Sequence, residues 1–239
     1  MTGAAVNERF AFDLERCAAT AGRRVAGADE AGRGSLAGPI VAAAVCFDYS
    51  SWRDDDFAAL AALTDSKKLA PATRDSLYRE VLRRARRVVV VARSSAAIDE
   101  HGLQVCNLEA LSEALGGACA ERGDVSCVAL VDGFALPHCA VGHEAVIGGD
   151  GRSAAVAAAS IVAKVTRDRV MRRLHEYYPQ YGFDRHVGYA TAFHQEMITR
   201  HGVCPLHRRS FDAVSYRQLG LSFGEPGVVV DASPMGGET

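Results

Sequence analysis

The sequence predicts an α/β domain with a mixed sheet, and three observations support this fold class. Short apolar runs that end near glycine alternate with longer segments whose apolar residues have helical spacing. The chain has 239 residues, of which 49% are hydrophobic and 23% charged, which is enough for one sizeable core. These patterns occupy residues 1–216, whereas residues 217–239 are rich in glycine, proline and serine and predict a flexible tail.

Five segments have the character of strands. The third, RRVVVVARS, has a continuous apolar centre, which is typical of burial on both faces. The fourth, SCVALVD, ends at Asp132, and the fifth, HEAVIGGD, ends at Asp150. The predicted strands cover residues 23–29, 38–49, 86–94, 126–132 and 143–150.

Helical patterns separate these strands. Pro71 stands where a helix tolerates proline in its first turn, Asn107 is a candidate N-cap, and Pro179 ends a long helix after Tyr178. The predicted helices cover residues 10–22, 71–85, 107–123, 154–178 and 189–201.

Composition excludes several classes of protein. The net charge of −2 means that a polyanion would have to bind to a local basic face rather than to the overall field. The seven cysteines form no CxxC pair, so we predict buried thiols in a reducing compartment instead of a zinc ribbon. No secretory signal or apolar run of membrane-spanning length occurs, so we expect a cytoplasmic protein with no membrane partner.

Acidic residues follow three of the predicted strands. Asp29, Asp132 and Asp150 each come after a short apolar run and close to glycine. Carboxylates at strand ends converge at one edge of a sheet, where a hard divalent cation would relieve their repulsion. A regular strand would point Asp29 and its neighbour Glu30 to opposite faces, and we expect the glycine-rich turn after them to relieve this. The alternative is that each aspartate is only a turn residue.

The segment GADEAGRGS also resembles a phosphate-binding loop, but Arg33 replaces the lysine and two carboxylates would face the phosphate. The glycines of Gly32-Arg33-Gly34 can still let the backbone approach a phosphate or a sugar. Lys67 in TDSKKL and Lys164 in SIVAKV are candidates for phosphate contacts, although Lys164 can also pair with Asp168 one helical turn away.

For two further residues, a tyrosine and a histidine, the sequence allows either a structural or a functional role. Tyr189 follows Gly188, and its ring can either pack in the core or stack on a sugar or base. None of the eight histidines has the spacing of a metal motif; His207 remains the one histidine for which a functional role stays open.

Together these motifs resemble the ribonuclease HII family, also called type 2 ribonucleases H, from about Val25 to Phe211. The resemblance rests on a series of segments in order: GADEAGRGSLAGP, DSKKL, LVDG, GGD, AASIVAKVTRD, YPQYGF, GYATAFH and HRRSF. It implies a ribonuclease H-like fold, with a mixed five-stranded sheet flanked by helices and a helical C-terminal extension.

The resemblance also implies a function. Asp29, Glu30, Asp132 and Asp150 would be the catalytic carboxylates and would bind two Mg²⁺ ions, or Mn²⁺ in their place. Gly32, Arg33, Gly34 and Tyr189 would sense the junction between a ribonucleotide and the next deoxyribonucleotide. The enzyme would cleave RNA/DNA hybrids, and duplex DNA on the 5′ side of a single ribonucleotide, leaving 3′-hydroxyl and 5′-phosphate ends.

Two departures and one addition qualify this resemblance. The family has a lysine two residues before its last aspartate, where this chain has Gly148, and Ala190 follows Tyr189 where proline or glycine is usual. Residues 218–223, QLGLSF, resemble peptides that bind the replication sliding clamp, although they can also pack on the last helix. We expect a monomer. The alternative functions are a nuclease that ignores the 2′-hydroxyl and a non-catalytic nucleic-acid-binding module.

Overall fold

The computed structural model describes residues 7–18, 23–120, 127–211 and 216. Their central feature is a five-stranded sheet with the order β3-β2-β1-β4-β5. Strands β1 and β2 are antiparallel, as are β2 and β3, whereas β1, β4 and β5 run parallel. The expected mixed sheet is therefore confirmed. The strands are β1 (Arg24–Ala31), β2 (Ile40–Asp48), β3 (Arg87–Arg93), β4 (Cys127–Asp132) and β5 (Glu144–Val146).

Helices cover both faces of this sheet. They are α1 (Glu8–Ala18), α2 (Asp54–Ala59), α3 (Pro71–Arg84), α4 (Ser95–His101), α5 (Leu103–Cys119), α6 (Gly149–Arg152), α7 (Ala154–His175), α8 (Phe183–His186) and α9 (Ala192–His201). On one face, α7 lies across β1 and β2 and shares a core with α1 and α3. On the other face, α5 packs against β1, β2 and β3.

The close approach of α7 to β1 depends on Gly27. A Cβ atom at this position would lie 2.2 Å from the Val156 backbone nitrogen, so a side chain there would push the helix away from the sheet. The neighbouring turns of α7 are rich in buried alanine, whose small side chains allow the same close contact. The sequence thereby brings the first turns of α7 next to the C-terminal half of β1, where the acidic pair lies.

Four predicted elements differ from the structure. Strand β3 lies at the edge of the described sheet, and only Val91 is buried in it, because β2 is its single neighbour among the described strands. Asn107 lies inside α5 instead of capping it, because Gly102 ends α4 and starts α5 earlier. Helix α7 ends at His175, before Tyr178, which has a non-helical backbone conformation and precedes Pro179. Helix α9 begins after Thr191, whose side chain caps it.

The C-terminal helices α8 and α9 pack beside the end of α7 and form a small separate core with Met171, Tyr181 and Phe183. From α9 the chain returns to the sheet side, where His207 forms a β-bridge with Ala37. Among the residues described, no helix is both long and apolar enough to cross a membrane. The predicted tail, residues 217–239, lies outside the described part of the chain.

Candidate active site

Asp29 and Glu30 lie within β1, which continues to Ala31. Because side chains alternate along a strand, Asp29 points to the α7 layer and interacts with Ser160, whereas Glu30 points to the α5 layer and interacts with Asn107. The expectation that the glycine-rich turn brings the two side chains to one face is therefore wrong, since the turn begins only after both residues. Asp29 Oδ1 instead accepts a 2.7 Å hydrogen bond from the Glu30 backbone amide.

Asp132 ends β4, as predicted, and its Oδ1 accepts a 2.7 Å hydrogen bond from the Gly149 backbone amide. Asp150 does not end a strand, because β5 stops at Val146 and Gly148 adopts a left-handed conformation with φ of 63°. Asp150 therefore lies in the first turn of α6. The hydrogen bond from Gly149 links the loop that carries Asp150 to the carboxylate of Asp132.

The four carboxyl groups influence one another. Burial raises the pKa of Asp29 well above its usual range, and the charges of Glu30 and Asp132 raise it further. Burial also raises the pKa of Glu30; Asp132 adds to this rise, and Arg33 opposes it. Burial and Asp132 raise the pKa of Asp150, whereas Lys67 lowers it. Asp132 therefore interacts electrostatically with each of the other three carboxylates.

This set of side chains fits a hard divalent cation. It offers only oxygen atoms, and the mutual repulsion that raises the pKa values would be relieved by positive charge between them. As the side chains stand, the described residues contain no group of three or more histidine, cysteine or acidic side chains arranged around one ion position. Asp29 and Asp132 each accept a hydrogen bond from a backbone amide on Oδ1, and each carboxylate has a second oxygen that can bind an ion.

A cavity of about 470 Å³ opens beside Glu30, the one member of the acidic set that lines it. All six residues predicted to contact substrate lie around this cavity, although they come from four distant parts of the sequence. They are Gly32, Arg33, Gly34, Lys67, Lys164 and Tyr189. The cavity thus joins the carboxylate edge of the sheet to the glycine-rich loop, the TDSKKL segment, α7 and the C-terminal region.

The Arg33 side chain lies beside Glu30 and contacts residues of two other segments. Its guanidinium lies 3.4 Å from Glu30 Oε1 and donates a 3.2 Å hydrogen bond to Gln104 Oε1. The same group lies 5.5 Å from the centre of the Phe134 ring, within the range of a cation–π contact. Arg33 thereby supplies positive charge to an edge that is otherwise acidic.

Gly32 and Gly34 differ in their surroundings. Gly32 has φ of +100°, and a Cβ atom there would lie 2.1 Å from Nε of the buried Arg167. Gly34 has open space around it. Arg167 donates hydrogen bonds to the backbone carbonyls of Ala37 and Val187, so the first glycine permits a contact that holds the loop against the C-terminal region.

The TDSKKL segment is fixed at the cavity by residues that the sequence analysis did not single out. Arg74 donates hydrogen bonds to the Ser66 carbonyl at 2.8 Å and to the Leu69 carbonyl at 2.6 Å. Ser160 Oγ donates a 2.9 Å hydrogen bond to Ser66 Oγ. Ser66, Arg74 and Ser160 all line the cavity together with Lys67.

The spacing in the sequence could have revealed Ser160. It lies one helical turn before Lys164 and therefore on the same face of α7. The predicted pair between Lys164 and Asp168 is confirmed, with 2.8 Å between Nζ and Oδ1. The Lys164 ammonium also lies 5.3 Å from the centre of the Tyr189 ring, so the lysine and the tyrosine share one wall of the cavity.

Comparisons with known proteins identify the family of this chain. The family described as Ribonuclease HII matches residues 26–214. A ribonuclease HII of Rhizobium johnstonii is 47% identical over 204 residues, which cover 84% of this chain and 83% of that protein. A ribonuclease HII of Acidothermus cellulolyticus is 45% identical, over 82% of this chain and 60% of that longer protein.

A solved structure supports the same assignment. The PCNA:RNase HII complex from Archaeoglobus fulgidus contains a chain that is 28% identical, with a TM-score of 0.63, and the match covers 77% of this chain and 92% of that one. The family match extends from β1 through the C-terminal helices and includes every residue of the candidate site. The chain therefore belongs to the ribonuclease HII family, a family of metal-dependent ribonuclease H hydrolases that act on phosphodiester bonds.

Proposed function

We propose that the protein is an endoribonuclease that cleaves the RNA strand of RNA/DNA hybrids and the 5′ side of single ribonucleotides in duplex DNA. The products would carry 3′-hydroxyl and 5′-phosphate ends, and the enzyme would act in the removal of ribonucleotides from DNA. The observation that carries this proposal is one cavity lined both by Glu30 of the acidic edge and by the Gly32–Gly34 loop with Tyr189.

Asp29, Glu30, Asp132 and Asp150 would hold two Mg²⁺ ions, or Mn²⁺ in their place. When bound, such ions supply Lewis-acid activation of water and stabilise negative charge at phosphate and leaving oxygens. The protein's own contribution is to hold the carboxyl groups close together beside the cavity, where a bound cation would favour their ionised form. Asp132 is central to this set, because its charge acts on all three of the others.

Substrate recognition would divide between charge and shape. Lys67 and Lys164 line the cavity with positive charge and would contact phosphates. The bare backbone of Gly32 and Gly34 would approach the 2′-hydroxyl, which is the group that marks a ribonucleotide within DNA. The Tyr189 ring would lie against the sugar of the next deoxyribonucleotide.

The decisive experiment uses a duplex DNA with one embedded ribonucleotide and a matched duplex of the same sequence without it. We expect one cut on the 5′ side of the ribonucleotide in the presence of Mg²⁺, and none without the ion or on the all-DNA duplex. Equal cutting of both duplexes would instead indicate a nuclease that ignores the 2′-hydroxyl. Binding without any Mg²⁺-dependent or Mn²⁺-dependent cleavage would indicate a non-catalytic module.

We also propose a cytoplasmic monomer whose residues 218–223 bind a replication sliding clamp. These residues lie outside the described part of the chain, and the support comes from their sequence and from the PCNA complex of the Archaeoglobus relative. Deletion of residues 218–239 should abolish capture by the clamp and leave cleavage unchanged. Undiminished capture would contradict the proposal.

A further inference from the structure

The backbone around Tyr189 has an unusual conformation that requires support from outside the segment. Val187 and Gly188 both have positive φ, 45° and 87°, and a valine rarely adopts this region. The Tyr189 amide donates to the His186 carbonyl at 3.0 Å. The Tyr189 carbonyl accepts two hydrogen bonds, from the Thr191 amide at 2.8 Å and from His194 Nδ1 at 2.9 Å.

The bond from His194 determines how protons are arranged in a buried histidine pair. Nδ1 of His194 donates to a carbonyl, so in the neutral ring its Nε2 accepts, and the 3.1 Å contact with His207 Nε2 then requires that His207 donate. His207 Nδ1 is then an acceptor, which agrees with the 2.9 Å hydrogen bond from the Cys204 amide. One arrangement, with both rings neutral, satisfies all four ring nitrogens.

The environment keeps this pair neutral. The two side chains are 0% and 2% exposed. Burial lowers the pKa of His194 to about 4 and that of His207 to about 3, and a positive charge on His194 would lower the pKa of His207 further. Neither ring lines the cavity, so neither can act on the substrate directly.

The histidine pair reaches the second part of the proposed recognition site through His207. The backbone of His207 bridges to Ala37, and the next residue, Arg208, donates a 3.0 Å hydrogen bond to the carbonyl of Arg33. The Gly188 carbonyl in turn accepts from the Leu36 amide at 2.9 Å. The loop that carries Gly32–Gly34 and the turn that carries Tyr189 are thus fixed to each other by backbone bonds and by the imidazole pair.

We infer that His194 and His207 are positioning residues that set the Tyr189 ring relative to the Gly32–Gly34 backbone and thereby determine the preference for a ribonucleotide–deoxyribonucleotide junction. This inference rests on the proposed role of Tyr189. The hydrogen bond from the pair fixes the orientation of the Tyr189 carbonyl. Through this backbone group it also fixes the direction in which the Tyr189 side chain points.

The test compares His194→Gln and His207→Gln with His201→Gln, an exposed histidine at the end of α9, the helix that carries His194. Each variant is assayed on a duplex with one ribonucleotide and on a uniform RNA/DNA hybrid of equal length. We expect the ratio of the two rates to fall by about tenfold in the first two variants, within the range for small displacements of a positioning group. The His201 variant should keep the wild-type ratio.

The same variants are then combined with Tyr189→Ala. If the histidines act through the tyrosine, they should lower the ratio no further in that background. An unchanged ratio in the histidine variants, with a lowered ratio in Tyr189→Ala, would overturn this inference and leave the proposed function intact. An unchanged ratio in Tyr189→Ala itself would instead contradict the role proposed for the tyrosine.

A measurement on the unaltered protein keeps the inference testable if the variants fail to fold. Nitrogen-15 NMR of the histidine side chains should find His194 as the Nδ1–H tautomer and His207 as the Nε2–H tautomer at pH 6, both neutral. The opposite tautomers, or a protonated ring at this pH, would overturn it.

Discussion

Two regions of the molecule bury ionisable side chains, and they differ in whether the protein alone satisfies these groups. The first is the acidic edge of the sheet, with Asp29, Glu30, Asp132 and Asp150; the second is the histidine network of His186, His194 and His207. In the histidine network every ring nitrogen has a hydrogen-bond partner and burial lowers the pKa values, so the rings stay neutral. At the acidic edge, burial and neighbouring carboxylates together raise the pKa values of three groups.

The difference teaches how to separate a reactive site from a structural one when both contain buried titratable groups. The histidine network is complete without a ligand, because its donors and acceptors match within the protein. The acidic edge keeps like charges together that a cation would stabilise. A shifted pKa alone would not distinguish them, because burial favours the neutral form of acids and bases alike; the presence or absence of matched partners does.

The largest effect is expected for Asp132→Asn. The change removes the carboxylate that interacts with the other three, whereas the amide oxygen can still accept the bond from Gly149. Cleavage of a single-ribonucleotide duplex should fall by at least about 100-fold. Loss of a residue that only hydrogen-bonds to a metal ligand already lowers metal affinity or activity by about 10–100-fold. In EDTA the variant should melt at a higher temperature than wild type, because repulsion is reduced.

Initial rates at saturating Mg²⁺ and thermal melting in EDTA would measure both effects. Asp55→Asn, an exposed change on α2, serves as the control and should alter neither. A normal rate for the Asp132 variant would remove this residue from the site, and a lower melting temperature would contradict the account of the acidic edge.

The next largest effect is the loss of stability in acid that comes from the histidine network. The pKa of His194 is about 4 and that of His207 is about 3 in the folded protein, against an ordinary value of 6.5. The unfolded chain therefore takes up these protons first. The two neutral rings contribute fully to stability above pH 6.5. This contribution is lost as pH falls towards 4, and each histidine lowers the free energy of unfolding by up to about 1.4 kcal/mol per pH unit.

Denaturant unfolding between pH 7 and pH 4.5 checks this sign. Wild type should lose more stability over this interval than His207→Gln, in which one proton-linked ring is absent. The carboxylates of the acidic edge act in the opposite direction, because protonation relieves their repulsion. Equal losses in wild type and the variant would mean that the histidine pair already carries a proton at neutral pH.

A smaller effect compares the two glycines on either side of Arg33. Gly32→Ala places a methyl group against Arg167 at a positive φ, and we expect it to cost about 2 kcal/mol of unfolding free energy. Gly34→Ala meets no atom within 4 Å and should cost less than half of this. Chemical denaturation of both variants measures the difference. Equal costs would show that the loop is not held by the buried guanidinium.

The sequence was sufficient to predict the mixed sheet, because strand and helix patterns alternate clearly and Asp29–Glu30 and Asp132 lie near or at the ends of two strands. It was insufficient for the position of Asp150, since the left-handed turn at Gly148 leaves no mark in the hydrophobic pattern. The role of His207 could not be predicted either, because its partners His194 and Cys204 are recognisable only once α9 and the returning chain lie side by side.

The smallest effect concerns Asp13, a buried carboxylate with no acidic cluster around it, which separates the effect of burial from that of crowding. It accepts hydrogen bonds from Tyr49 Oη at 2.7 Å and from the Ala155 amide at 2.9 Å, yet burial raises its pKa to about 6. Because the folded state binds this proton more tightly than the unfolded chain, the contribution of Asp13 to stability is greatest below pH 3.8 and is lost as pH rises towards 6.

Asp13→Asn keeps an acceptor for the Ala155 amide and removes the buried charge, so we expect it to stabilise the protein by about 1 kcal/mol at pH 8 and by nothing at pH 4. Tyr49→Phe is the matched control, because it removes a donor from the carboxylate and should destabilise the protein at pH 8. Unfolding curves at the two pH values measure both variants. If Asp13→Asn were destabilising at pH 8, the hydrogen bonds would outweigh burial, and the raised pKa values at the acidic edge would have to be attributed to crowding alone.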